Sequence, residues 1–426
     1  MNNIAIQGLI SQSARILIGP ITLLVISKEL SVDEMFFYFS FFNLIALQQL
    51  AEAGVGFVLK QYISHDFSLN DNGEWSQISR EKIRSLFNFS IIWFLVVALF
   101  ILIFIGLGGL IFYSDYTGDI DWKKPWLLIV LLSSIFTVLT PIQVLVESIQ
   151  RQVKLYKCRT VASVVSSITL VSAIYFGWGL YSTSVLLFTN NVLLIFLLRR
   201  DLSYIYKMLV TVKSKDSVRV TFTNIWPLLS KISVSWILGY FLWNSMTLIS
   251  YKMSDIEFAG RFAFTLALAR AGYIVASSII NSQITYFSNK ISSGSVVEAV
   301  SKFKRHKMYS LGILFFGYLT FFAISFILPD FYIFEKVTKN ETTFLIFLFF
   351  FSMLIITTEA NFSRCFKKEP YFKFSILQNI TIPLSYIFSI FISTEYGMFG
   401  PLIVNTCFVF WSAKIFQSEV LNHEFN

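Results

Sequence analysis

The sequence predicts an all-α integral membrane protein of about twelve transmembrane helices, arranged as two six-helix lobes around a central cationic cavity. Three observations predict it. The chain is 55% hydrophobic and only 14% charged over 426 residues, with a mean hydropathy of +0.67, too little polar surface to cover a soluble interior of that size. Apolar stretches of roughly 18 or more residues recur from end to end, each long enough to cross about 30 Å of hydrocarbon. Basic residues crowd into alternate loops, as in a chain threaded back and forth with a fixed orientation. A β-barrel would instead show alternating segments of roughly ten residues.

In chain order the spans fall near residues 4–26, 35–59, 87–113, 125–150, 161–180, 184–198, 222–250, 258–285, 309–328, 343–360, 374–393 and 398–416. The first carries Gln12 and Arg15 in its middle, with no Lys or Arg before it and no small-residue cleavage site after it. It therefore reads as a span and not as a removable signal peptide. The second contains Leu50-Ala51-Glu52-Ala53-Gly54 and the fourth ends with Glu147; the third is uncharged. The fifth and sixth are short and separated by a tight turn. In the remaining six, Lys231, Arg261, Arg270, Glu359 and Lys414 are the charged positions. Pro20, Pro141, Pro227 and Pro383 lie inside spans one, four, seven and eleven, where each can bend its helix.

Orientation follows from the loops. Lys60, Arg80, Lys82 and Arg84 follow span two, Arg151, Lys154, Lys157 and Arg159 follow span four, and Arg199, Arg200, Lys207, Lys213, Lys215 and Arg219 follow span six. Further basic groups follow spans eight and ten, while the opposite loops hold Lys28, Lys123, Lys124, Lys252, Lys336 and Lys339. The positive-inside rule places both termini in the cytoplasm. Reporter fusions after Lys123 and Lys336 are expected to read periplasmic, and fusions after Arg84, Lys213 and Lys304 cytoplasmic; a cytoplasmic signal at Lys336 would break the twelve-span topology. Trp93, Trp122, Trp126, Trp178, Trp226, Trp243 and Trp411 fall near span ends, as an interfacial belt requires.

The net charge of +9 thus reflects topology; a nucleic-acid partner would need a clustered basic domain. Three scattered cysteines and three scattered histidines supply neither a disulfide framework nor metal-ligand spacing. No P-loop appears, and no cofactor is expected. The loops on the far side are short, which counts against a polytopic polymerase or acyltransferase.

The basic stretch 199–221 divides the chain into an N-terminal lobe, residues 1–198, and a C-terminal lobe, 222–426. Six spans in each give both the same orientation, the condition for parallel repeats. Leu50-Ala51-Glu52-Ala53-Gly54 in span two and Leu268-Ala269-Arg270-Ala271-Gly272 in span eight would then correspond, though such peptides also recur by chance in apolar chains. Within the linker, Leu-Ser-Tyr-Ile-Tyr-Lys-Met-Leu-Val (residues 202–210) reads either as an interfacial amphipathic helix or as a solvated connection.

A charge inside a span costs roughly 2.5–3.5 kcal/mol on insertion scales, so it usually faces a bundle interior or a watery cavity. Gln7, Ser11, Arg15 and Gly19 form one helical stripe, with Gln12 beside it; Asn224, Lys231 and Ser235 form another; Arg270, Tyr273, Ser277 and Asn281 form a third. Arg15, Lys231 and Arg270, with Gln12, Tyr273 and Asn281, are the candidate lining of a cationic cavity. A cavity of this sign suits a diphosphate, because guanidinium forks match phosphate oxygens. Glu52 and Glu147 are candidate gating or ion-coupling carboxylates, with Glu52 and Arg270 pairing in one transport state. For Glu147, Glu359, Arg261 and Lys414, near span ends, a structural ion pair or a snorkelling side chain is the alternative. No residue is a candidate catalyst.

The stretch GLISQSARILIGPITLLVISKELSVDEMFFYFSFFNLIALQQLAEAGVGFVLKQYIS, residues 8–64, resembles the opening of bacterial O-antigen flippases of the Wzx type. These belong to the polysaccharide-transporter branch of the multidrug/oligosaccharidyl-lipid/polysaccharide exporter superfamily. The turn Ser27-Lys28-Glu29-Leu30-Ser31 and the run from Leu50 to Ser64 carry the likeness. It implies a multi-pass protein of the bacterial inner membrane that moves an oligosaccharide repeat unit on undecaprenyl diphosphate from the cytoplasmic to the periplasmic leaflet. Alternating access coupled to H+ or Na+ is implied too, with membrane lipid, a polysaccharide polymerase and a chain-length regulator as partners. Related flippases of cell-wall precursors carry two further helices, which are not found here. A multidrug–cation antiporter of the same superfamily is the transporter alternative, and would favour an acidic cavity.

Overall fold

The computed structural model describes residues 19–70, 74–149, 151–366 and 369–424. They are helical almost throughout, with an isolated bridge, Leu69 to Trp75, and no strand among the described residues. Helix α1 covers residues 19–29. The second span is α2 (Val32–Ile45), α3 (Gln48–Glu52) and α4 (Val55–Asp66); the third is α5 (Gln77–Phe100), a π-helical turn (Ile101–Ile105) and α6 (Gly106–Phe112). The fourth is α7 (Lys123–Thr137) with α8 (Thr140–Ser148). Then come α9 (Gln152–Tyr175), α10 (Tyr181–Val210), α11 (Val218–Met253), α12 (Ile256–Asn281) and the short α13 (Ile284–Ser292). Helices α14 (Val296–Ile327), α15 (Asn340–Ser363), α16 (Phe372–Ile392) and α17 (Phe399–Glu424) complete the chain.

Among the described residues nine helices are long and apolar enough to cross a membrane, and two bent pairs make eleven. These are the expected spans two to twelve, so the polytopic all-α class holds; the first span lies mostly outside the described residues. The exteriors fit hydrocarbon: Phe104, Ile111, Phe326 and Phe391 are among many large apolar side chains left exposed, a surface that water would penalise.

The described residues form two compact units, one within 41–240, the other within 19–40 and 241–424. In the first, α4 buries Val55, Val58, Leu59 and Ile63 against Leu145 and Val146 of α8, Ile83 and Leu86 of α5, and Leu194 and Leu198 of α10. The second span is not straight. Ala53 and Gly54 both adopt left-handed conformations, with φ of 50° and 76°, and the helix bends by 51° there. Helix α11 packs on the break: Ser233 donates to the Ala53 carbonyl at 2.9 Å, and a Cβ on Gly54 would lie 2.8 Å from Ile232. The glycine thus admits the close approach of span seven. In the third span the π-helical turn comes with outside partners for nearby backbone carbonyls. Ser134 donates to the Ala98 carbonyl at 2.8 Å and the Trp126 indole to Gly106 at 3.0 Å. Trp126 is buried and lies where a Cβ on Gly109 would be, so it belongs to the core and not to an interfacial belt.

Span six is longer than its hydropathy suggested. Residues 202–210 continue α10 as helix, and Ile205 and Leu209 are buried in the unit's core. In the second unit α15 is the central helix, with sixteen buried residues. Helix α2 and the turn before it dock on α12, α11 and the loop that precedes α15: a Cβ on Gly260 would lie 2.2 Å from the Val32 carbonyl, Lys336 donates to the Leu30 carbonyl at 3.2 Å, and Phe36 stacks on Tyr251.

Candidate functional site

Arg270 sits in the middle of α12, a helix capped at Asp255, whose carboxylate accepts from the Phe258 N–H at 2.6 Å. Its Nη2 donates to the Trp243 carbonyl of α11 at 2.7 Å, and its guanidinium carbon lies 5.0 Å from the centre of the Trp243 ring. Tyr273, one turn on, lies against both Trp243 and Phe350, with ring centroids 5.9 Å away in each case. It also hydrogen-bonds Thr357. A carbonyl and an indole face thus hold the cation, and among the described residues no carboxylate pairs with it. A guanidinium has five donors, and the protein's hydrogen bond here satisfies one of them. A desolvated, unpaired charge costs several kcal/mol. The remaining planar fork is the geometry that binds phosphate or carboxylate oxygens bidentately. The Trp243 ring and carbonyl thus both serve Arg270.

Lys231 lies in the other unit. It is exposed one turn beyond Pro227, on the face of α11 that also exposes Thr223 and Asn224, and among the described residues no carboxylate pairs with it. Glu52 ends α3 at the break in span two. Its carboxylate takes the Gly56 N–H, and Oε1 occupies the space that a Cβ on Gly56 would fill, 2.9 Å away. No ion pair engages Glu52 among the described residues. Glu147 differs. It pairs with Lys60 and, at 3.4 Å, with Arg159, which also donates to Gln143 at 3.2 Å. That cluster ties α4, α8 and α9 together and neutralises the carboxylate. Asn281, at the end of α12, accepts from Asn361 at 3.0 Å, and Asn361 accepts from Arg364 at 3.1 Å. Arg15 and Gln12 lie outside the described residues.

The structure therefore joins Arg270 with Tyr273, as the i, i+3 spacing suggested, and gives Asn281 separate partners. Two ionic clusters escape sequence reasoning. Asp201 is buried between Arg151 and Lys154, 2.5 Å from each. Glu359 is buried, accepting from Lys307 at 2.6 Å and from Ser412 at 2.5 Å, and Tyr371 completes the set through Ser412 at 3.1 Å. The signal for Glu359 was its place near a span end; its lysine partner is fifty-two residues earlier, beyond any local pattern.

The sequence matches no family model and no curated protein. Its fold is similar to that of an inward-facing multidrug resistance MATE family transporter of the MOP superfamily, with a TM-score of 0.61 at 11% identity over 97% of this chain and 98% of that one. It is also similar to the Vibrio cholerae MATE transporter VcmN in the bent form, with a TM-score of 0.56 at 11% identity over 99% and 98%. The lipid II flippase MurJ, in an inward closed conformation, gives a TM-score of 0.61 at 14% identity over 99% and 90%. The chain has the helical membrane fold that these transporters share.

Proposed function

We propose that the protein is a flippase for undecaprenyl-diphosphate-linked oligosaccharide repeat units of the O-antigen type, moving them from the cytoplasmic to the periplasmic leaflet of a bacterial inner membrane. The carrying observation is Arg270: a guanidinium in mid-span whose partners are a carbonyl and an indole, leaving most of its donors for an anion. A site built for cationic drugs would place a carboxylate in mid-span where this chain places a cation. The fold shared with a lipid II flippase supports the reading, and so does the resemblance of residues 8–64. In this reading two six-span lobes alternate in access around the substrate. Lys231 and Arg15 supply further positive charge, and Glu52 is the countercharge that the diphosphate displaces from Arg270 in one state. A ligand shifts states only by binding them differently, and this exchange of partners supplies the difference.

The test is genetic and chemical together. Deletion is expected to abolish surface polysaccharide and to accumulate lipid-linked repeat units in the inner leaflet, with restoration by the wild-type chain. Normal surface polysaccharide in the deletion strain, or accumulated repeat units in the outer leaflet, would contradict the reading; the latter would point to a step after translocation.

A further inference from the structure

We infer that a cavity on the face of α12 opposite Arg270 holds a segment of polyisoprenoid hydrocarbon, so that a diphosphate lipid straddles this helix with its charge on one side and part of its tail on the other. The inference rests on the anion reading of Arg270 given above. The cavity has a volume of ≈ 320 Å³ and lies wholly within the second unit, walled by α1, α12 and α14. Leu268, Ala271 and Val275 of α12 face it. At about 100° per residue, Arg270 and Tyr273 point to the other side of the same helix.

The chemistry of the wall selects the occupant. Its one polar side chain is Tyr318, whose hydroxyl already donates to the Ala269 carbonyl at 2.9 Å. Nothing in the lining is left to bind a sugar, a cation or an ordered water, which needs two or more polar partners. Hydrocarbon remains. An apolar cavity of about 150 Å³ takes a benzene, so this one takes roughly twice as many carbons, or about two to three isoprene units on the same scale. Leu24 and Ile313 in the lining are exposed, leaving a way in from the surrounding lipid.

Depth favours the tail of a bound diphosphate lipid over a resident phospholipid. The lining runs from Phe264 to Val275 on α12 and so brackets Arg270 within about two turns, roughly 9 Å along the axis. A phospholipid's acyl chains pass this level as well, but its phosphate stays at the bilayer surface, and only a lipid whose diphosphate is drawn down to Arg270 has its first isoprene units tethered at this depth beside the cavity.

Gly317 offers the test. It lines the cavity, and a Cβ there meets nothing within 4 Å, so Gly317→Phe puts a ring into free space. Gly312 of the same helix is equally uncrowded but is not in the lining, and Gly312→Phe is the control. Binding of undecaprenyl diphosphate and of inorganic diphosphate would be measured on the purified full-length chain in phosphatidylcholine nanodiscs. Gly317→Phe is expected to weaken undecaprenyl diphosphate roughly fivefold, a packing loss without hydrophobic transfer, and to leave inorganic diphosphate unchanged. Wild-type affinity in Gly317→Phe, or an equal loss in Gly312→Phe, would overturn the tail site. So would displacement of undecaprenyl diphosphate by added phosphatidylglycerol in wild type but not in Gly317→Phe, which would make the occupant an acyl chain. Arg270→Ala is expected to weaken both ligands; if inorganic diphosphate binding survives it, the anion reading fails while the Gly317 comparison still reports on the cavity.

Discussion

Arg270→Ala is expected to abolish surface-polysaccharide assembly while leaving the protein in the membrane at its normal amount and with an unchanged or higher melting temperature. The two halves of that result have one cause. Removing one member of a buried ion pair strands the other charge, but Arg270 has no carboxylate partner among the described residues, so its loss strands nothing. The Trp243 carbonyl loses one extra donor, and a desolvated charge disappears. A residue kept at a cost to stability fits a role in binding. Arg270→Lys is expected to recover part of the activity, since an ammonium keeps the charge and loses the planar fork. Equal loss of activity and of folded protein in Arg270→Ala would make the guanidinium structural.

Lys307→Met gives the opposite pattern. Glu359 is buried and depends on Lys307 and Ser412 for its charge. Without the lysine an unpaired carboxylate stays in the core of the second unit, at a cost of about 3–5 kcal/mol. The variant should be depleted from the membrane and melt well below wild type. Lys307→Met combined with Glu359→Gln should recover most of the loss, because an amide in that position carries no charge and still meets Ser412. If the single variant is as abundant and as stable as wild type, the pair is solvated.

These two arginine and lysine positions mark how far the sequence could be read. Hydropathy located every span in the described residues, because twenty apolar residues in a row leave few alternatives. It also singled out Arg270, because the cost of a charge at that depth is local information. Partners were not local. Trp243 reaches Arg270 from the preceding helix, and Lys307 reaches Glu359 across fifty-two residues. The place of Glu147 near a span end left an ion pair open, but its partners Lys60 and Arg159 depend on how α4, α8 and α9 pack. The π-helical turn in the third span has no sequence signature; its neighbouring carbonyls bond to side chains on α7.

The break in span two has a consequence for the order in which the protein is built. The arm before the break, Val32–Glu52, has twenty-one residues and α4 twelve, about 31 and 18 Å of helix, so α4 alone does not cross about 30 Å of hydrocarbon. Helix α4 therefore crosses only as the continuation of the arm before it, and the two count as one span. At the bend Ser233 donates to the Ala53 carbonyl and Ile232 lies against Gly54. Those residues are made 180 positions later. The contacts that α11 makes with the break therefore cannot form until span seven has been made.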